Sequence, residues 1–107
     1  MSKGDIVLVP FPFTDLSGQK VRPALVLHVS KGEDCIIAFI SSAIGKKKNP
    51  FDVAIKATDA NGLKVDSVIK VDKIATLQKK IVLGELGGAE KAVSITVDAT
   101  LKKLLKI

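Results

Sequence analysis

The chain has 107 residues, of which 47% are hydrophobic, and 17 Lys and Arg against 11 Asp and Glu give a formal net charge of +6. This length suits a single hydrophobic core, so we expect one domain over residues 1–107. One cysteine excludes an intramolecular disulfide, and no apolar run approaches the ~20 residues of a membrane helix. Because no signal-peptide pattern is present, we predict a cytoplasmic protein with no membrane partner. The basic balance indicates either a polyanionic or acidic partner or only a charge that keeps the protein in solution.

The first half of the chain contains three predicted strands. Residues 5–11 are rich in β-branched side chains and end among prolines, so a strand there gives way to a loop over residues 12–21. Residues 23–29 and 34–41 are nearly continuous apolar runs. The short segment between them contains Gly32, so we expect these two strands to pair as an antiparallel hairpin.

The second half contains shorter predicted strands. After a polar loop, residues 52–56 alternate between apolar and polar side chains, as a half-exposed strand does. An Asn-Gly turn at 61–62 precedes the β-branched segment 67–77, and residues 81–86 form the last predicted strand. Five or six short strands in this length predict a mainly β (α+β) fold, a small barrel or strongly bent sheet.

The C-terminal segment carries the spacing of a helix. The apolar residues that recur at helical intervals are Val93, Val97, Leu101, Leu104 and Leu105. Lysines gather in the last turns, where they complement the helix dipole. The β-branched stretch 94–97 leaves open an alternative, a short strand followed by a shorter helix.

Arg22 is the leading candidate for chemistry. Pro23 biases the backbone of Arg22 towards an extended conformation, and the guanidinium is a permanently charged fork of donors suited to phosphate. Ser41 and Ser42 end the strand that is predicted to pair with the Arg22 strand, so a hydroxyl there could meet the same phosphate. The alternatives, a solvated arginine and serines that only end a strand, stay open at this point.

Aromatic and basic residues in the two neighbouring loops would border such a site. The lysine run 46–48 would attract a nucleic-acid backbone, or it is a solvated loop. Phe13 is a candidate for stacking on a base or for plugging the barrel end, and plugging is the favoured interpretation for Phe11 and Phe51.

Metal and cofactor chemistry are not indicated by the sequence. It has no His/Cys/Asp/Glu cluster at metal-ligand spacing, no phosphate-cradling glycine loop and no nucleophile elbow, so we predict no metal and no cofactor. His28 lies on the same predicted strand as Arg22, about 20 Å away along an extended chain, and we expect it at the surface. Cys35, within an apolar strand, is expected to be a buried, inert thiol.

Four motifs in order resemble the PemK/MazF family of toxin–antitoxin ribonucleases. They are GDIVLVPFPF at 4–13, GQKVRPALVL at 18–27, IIAFISSAI at 36–44 and DSVIKVDKIATL at 66–77. The resemblance implies an SH3-like β-barrel of five to seven short strands with a C-terminal α-helix. It also implies a symmetric homodimer whose groove binds single-stranded RNA, and inhibition by a cognate antitoxin protein that occupies that groove.

The resemblance further implies a type II toxin that cleaves mRNA at short sequence motifs without a metal. Arg22 matches the arginine of the family's RP motif, and Ser41 stands where the family has a threonine, so both are candidate catalytic residues. Ser42 is an alternative hydroxyl, and residues 12–20 correspond to the family's flap over the RNA. The candidate substrate-binding residues are Phe13, Gln19, Lys20, Ser42, Lys46 and Lys47.

The simplest metal-free reaction is attack of a ribose 2′-oxygen on the adjacent phosphorus, with Arg22 and Ser41 stabilising the charge that develops. Two other functions remain open from the sequence. One is a toxin of the same fold that binds DNA gyrase, and the other is a noncatalytic nucleic-acid-binding module.

Overall fold

A computed structural model describes residues 1–11, 20–45 and 48–107, and these residues form six β-strands and one α-helix. The strands are β1 (Asp5–Phe11), β2 (Lys20–Val29), β3 (Asp34–Ser41), β4 (Asp52–Ile55), β5 (Ser67–Gln78) and β6 (Gly84–Gly88), and the helix is α1 (Lys91–Leu105). All strand pairs are antiparallel, in the order β4-β5-β3-β2-β1-β6, and the sheet curls into a half-barrel. The predicted mainly β fold with a C-terminal helix is confirmed.

The hairpin between β2 and β3 forms as the sequence predicts. Ala24 lies opposite Phe39, and the Ser30 N–H donates to the Asp34 carbonyl across the turn, at 3.1 Å. The Lys79 ammonium donates to the carbonyls of Ser30 and Gly32, at 2.6 and 2.7 Å. These bonds tie the turn to the chain that follows β5.

Both faces of the central strands are buried, which explains their continuous apolar runs. On one face, α1 packs over a core of nine residues: Ile6, Leu25, Ala38, Ile40, Val53, Ile55, Ile69, Val71 and Val97. On the other face lies a second core: Val7, Val9, Ala24, Val26, Cys35, Ile37 and Leu77. Successive residues of β1, β2 and β3 point alternately into the two cores, because the side chains of a strand alternate between its two faces.

A bulge bends β5. Ala38 of β3 pairs with Ile74, but the next residue, Phe39, pairs with Lys70, so residues 71–73 of β5 have no opposite partners on β3. Extra residues on one strand interrupt the ladder and increase its local bend and twist. The two halves of β5 therefore run in different directions, and the sheet curls at this point.

The predicted C-terminal helix is confirmed. The alternative, a short strand over 94–97, is wrong because α1 is continuous through these residues. Val97 is buried, while Val93, Leu101 and Leu104 pack against the core on the same side. Leu105 was expected on this face but is 56% exposed. It directly follows Leu104 in the last turn of the helix, and adjacent residues of a helix point in different directions.

Two predicted boundaries are also wrong. The loop expected over 12–21 ends earlier, because Val21 and Lys20 continue the ladder of β2 opposite Pro10 and Phe11. The strand expected over 81–86 starts later. A single 3₁₀ turn, Lys79–Ile81, is closed by a bond from the Val82 N–H to the Lys79 carbonyl, and β6 begins after it.

Cys35 is fully buried, and burial raises the pKa of its thiol above the ordinary value. We expect the folded protein to resist alkylation by iodoacetamide at pH 8, since the thiolate is the reactive species and the sulfur is inaccessible. The measurement is the fraction alkylated, by mass spectrometry, with protein unfolded in guanidinium chloride as the control. Fast modification of the folded protein would contradict this burial.

No helix in the described part of the chain has the length and apolar character needed to cross a membrane.

Candidate functional site

Arg22 lies in β2, between β1 and β3. It pairs with Val9 of β1, and the β2–β3 register, continued two residues beyond the Ala24–Phe39 pair, brings it level with Ser41. Strand alternation puts Arg22 on the same sheet face as Ala24, which is the face opposite α1. The side chain is exposed, and among the described residues it forms no ion pair. A ligand can therefore reach the guanidinium.

Ser41 ends β3 and lies on the wall of the same cleft as Arg22. Its Oγ accepts a hydrogen bond from the Ala43 N–H at 3.1 Å, which orients the oxygen. A hydroxyl has one proton to donate as well as lone pairs to accept, so this bond leaves the proton available to a ligand. Ser42 is exposed beside it and also lines the cleft.

The first cleft, which contains Arg22 and Ser41, has a volume of about 360 Å³. Its other charged residues are Lys70 and Lys73, both from β5. No carboxylate is present among the described residues that line it. Lys70 is paired with Asp52, which does not line the cleft, while Arg22 and Lys73 form no ion pair with any described residue. The cleft therefore has an excess of positive charge, which favours an anionic ligand.

Phe11 and Phe39 form an aromatic wall of the first cleft. Their ring centroids are 5.1 Å apart with the planes at 66°, an edge-to-face contact, and Phe11 is 42% exposed. The interpretation of Phe11 as a plug of the barrel end is therefore wrong, because its ring lines an open surface. Phe51 is half-buried, and the Lys103 ammonium lies 5.9 Å from its ring centroid, so it packs towards α1.

A second cleft, also of about 360 Å³, meets the first at Arg22, Ile40 and Ser42. Its walls are mostly apolar and include Leu8, Val21, Leu63, Val65 and Leu86. Arg22 thus stands between a cationic, aromatic cleft and an apolar cleft.

The loop that forms one wall of the second cleft is held by Asn61. This residue is 1% exposed, and its Oδ1 accepts bonds from the N–H groups of Thr58 and Leu63, each at 3.0 Å. Its Nδ2 donates to the Lys56 carbonyl at 2.7 Å. A buried amide satisfied on both ends fixes the loop conformation.

Several predicted site residues are outside this geometry. Lys20 is exposed at the start of β2, opposite Phe11, and lines neither cleft. His28 is exposed and also lines neither, as its distance from Arg22 predicted. Within the described ranges no three His, Cys, Asp or Glu side chains come together as a metal site. Four candidates lie outside the described residues: Phe13, Gln19, Lys46 and Lys47.

Sequence reasoning missed Lys70 and Lys73. Positions three apart in a regular strand point to opposite faces, so alternation alone does not bring these side chains together. The bulge over residues 71–73 changes the phase between them, and both line the first cleft. The available signal was the pair of lysines inside the motif at 66–77, in a segment otherwise dense in apolar residues.

The curled antiparallel sheet, its covering helix and the cationic cleft define a small half-barrel protein with an open cleft lined by Arg22, Lys70 and Lys73. The chain matches the model of the PemK-like, MazF-like toxins of type II toxin–antitoxin systems over residues 2–105, so it belongs to that family. No curated protein sequence is significantly similar to the chain.

Solved structures share the fold. A mycobacterial endoribonuclease in complex with its cognate antitoxin superposes with a TM-score of 0.79 at 16% identity, covering 100% of this chain and 96% of the other. MazF from Deinococcus radiodurans gives a TM-score of 0.78 at 25% identity, over 100% and 97%. The MazE–MazF complex from the same organism gives 0.79 at 24% identity, over 100% and 97%.

Proposed function

We propose that this protein is the toxin of a type II toxin–antitoxin system and a metal-independent endoribonuclease that cleaves single-stranded mRNA at short sequence motifs. The observation that carries the proposal is the shared cleft of Arg22 and Ser41, which brings a fixed cation and a hydroxyl to one surface. Membership of the toxin family supports the proposal, and so does the shared fold with the mycobacterial endoribonuclease.

The reaction begins with attack of the ribose 2′-oxygen on the adjacent phosphorus. A new P–O2′ bond forms, the bond from phosphorus to the 5′-oxygen breaks, and the products are a 2′,3′-cyclic phosphate and a 5′-hydroxyl. The 2′-hydroxyl proton leaves to a base, and the departing 5′-oxygen takes up a proton. DNA lacks the attacking hydroxyl and is not cut.

Charge accumulates on the phosphoryl oxygens during the attack. Arg22 stabilises this charge through two parallel N–H donors, and the Ser41 hydroxyl supplies a further donor. Because a guanidinium is permanently protonated, the role of Arg22 is electrostatic and not that of a general base. Ser42 lies at the junction of the two clefts and offers a second hydroxyl to the phosphate.

The substrate passes along both clefts, with the scissile phosphate at Arg22. The exposed ring of Phe11 offers a stacking surface for a base on one side, and the apolar second cleft receives a base on the other. Candidates from the segments outside the described residues, among them Phe13, Gln19 and the lysines at 46 and 47, complete the RNA contacts. The protein acts in the cytoplasm as a homodimer, and a cognate antitoxin inhibits it, in line with the MazE–MazF complexes.

The test is incubation of purified protein with a mixed RNA in EDTA, followed by mapping of the cut sites and chemical identification of both new ends. We expect cuts at a recurring short motif, with 2′,3′-cyclic phosphate and 5′-hydroxyl ends, and no cuts in the matching DNA. Bound but intact RNA would instead support the noncatalytic module. Intact RNA together with blocked DNA supercoiling would support the gyrase-binding toxin.

The hydroxyl at position 41 has its own prediction. We expect Ser41→Ala to lower the rate constant of cleavage about a hundredfold, because one donor to the developing charge is lost, and Ser41→Thr to retain activity. Single-turnover cleavage of a mapped RNA site measures both variants. Ser42→Ala is the matched control, and equal losses from the two alanine variants would assign the role to both hydroxyls.

A further inference from the structure

Lys70 is held in the first cleft by an ion pair that the reaction above does not use. Its ammonium lies 2.8 Å from Asp52 Oδ2, across the β4–β5 ladder in which the two residues are direct partners. The side chains are 22% and 18% exposed, so the pair is largely shielded from water. The side chain of a lysine in such a shielded ion pair is less free to move than that of a lysine in an exposed surface pair.

The geometry leaves most of the hydrogen-bonding capacity of Lys70 available. An ammonium has three donors, and Asp52 Oδ2 takes one of them. Asp52 Oδ1 is buried and has no hydrogen-bond partner among the described residues. The ion pair with Lys70 therefore offsets the cost of burying the charged carboxylate. Lys70 lines the same wall as Arg22 and Ser41, opposite Phe39 on the neighbouring strand.

We propose that Lys70 binds a phosphate next to the scissile one and that Asp52 holds the ammonium in position for this contact. The inference rests on the proposed function for its ligand, a single strand of RNA. Successive phosphates of the RNA strand lie one nucleotide apart. A cation that holds the phosphate next to the reacting one therefore fixes which phosphate of the RNA lies at Arg22. Lys70 is a substrate-binding residue, Asp52 is the residue that positions it, and Arg22 and Ser41 act on the reacting atoms.

The test uses the double variant Asp52→Asn/Lys70→Met, which removes both charges of the pair and leaves the net charge of the protein unchanged. It also avoids a buried carboxylate without a partner, which Lys70→Met alone would create. The matched control is Lys3→Met/Asp98→Asn, which removes an exposed Lys–Asp pair of 3.1 Å that lines neither the first nor the second cleft. Lys70→Arg keeps the cation and the ion pair. Circular dichroism and thermal unfolding verify that each variant is folded.

Binding is measured with a short single-stranded DNA of mixed sequence, which has the phosphates but lacks the attacking hydroxyl, over a series of salt concentrations. We expect the double variant to bind about tenfold more weakly. We also expect the slope of log affinity against log salt to become shallower by about 0.7, the value for one phosphate contact to a single strand. The Lys3/Asp98 control and Lys70→Arg should keep the wild-type affinity and slope.

Wild-type affinity and slope in the double variant would overturn the inference, as would a wild-type protein that does not bind the DNA. The outcome is separable from that of the proposed function. RNA cleavage with unchanged DNA binding in the double variant rejects the Lys70 site alone. Absence of RNA cleavage with weaker binding in the double variant rejects the nuclease and retains the phosphate site.

Discussion

The Arg22→Ala protein is expected to lose RNA cleavage by a factor of about a hundred to a thousand, the usual effect of removing one transition-state donor. A bidentate charge-assisted contact is the strongest that this cleft can offer to a phosphate, so the larger value is the better expectation. The side chain is exposed and forms no ion pair with any described residue, so stability should change little. Single-turnover cleavage and thermal unfolding measure the two effects separately.

Arg22→Lys is the matched control for charge. A lysine keeps the positive charge but loses the planar fork, so we expect intermediate activity. Full activity in Arg22→Ala would remove Arg22 from the reaction. A collapse of the fold in Arg22→Ala would instead assign the arginine a structural role.

Gly62→Ala should produce a large loss of stability. Gly62 has a φ of +71°, and a Cβ there would enter the space of the Leu86 carbonyl oxygen. Strain at positive φ and the backbone clash together should lower the free energy of unfolding by about 2–4 kcal/mol. For a chain of this size the melting temperature should fall on the order of 10 °C or more.

The control for Gly62 is Gly32→Ala, since Gly32 has no heavy atom within 4 Å of the added Cβ and no positive φ. We expect Gly32→Ala to leave the melting temperature nearly unchanged. Because Gly62 and Leu63 line the second cleft, a folded Gly62→Ala protein should also bind RNA more weakly. A melting temperature equal to that of the wild type would show that the loop and β6 are not packed this closely.

Much of the candidate site could be predicted from the sequence because it depends on local pairing. Pro23 marks the residue before it as extended, and a short turn at Gly32 forces two apolar runs to pair as a hairpin. Hairpin register then brings the start of β2 and the end of β3 together. Arg22 and Ser41 therefore line one cleft, for reasons that lie within one contiguous stretch of the chain.

The rest of the site depends on features that periodicity does not contain. The three-residue bulge in β5 shifts the phase of the strand, and with it the placement of Lys70 and Lys73. The partner of Lys70 comes from β4, whose register against β5 is set by tertiary packing. Phe11 is likewise misjudged from sequence, because whether a ring at a strand end is covered depends on chain segments distant in sequence.

The most direct test of the account is a crystal structure of the protein with an RNA oligonucleotide that spans a mapped cleavage site and carries a 2′-deoxy nucleotide at the position of attack. We expect the scissile phosphate about 3 Å from both the Arg22 guanidinium and the Ser41 hydroxyl, within hydrogen-bonding distance. A scissile phosphate bound elsewhere on the protein, with the first cleft free of RNA, would contradict it.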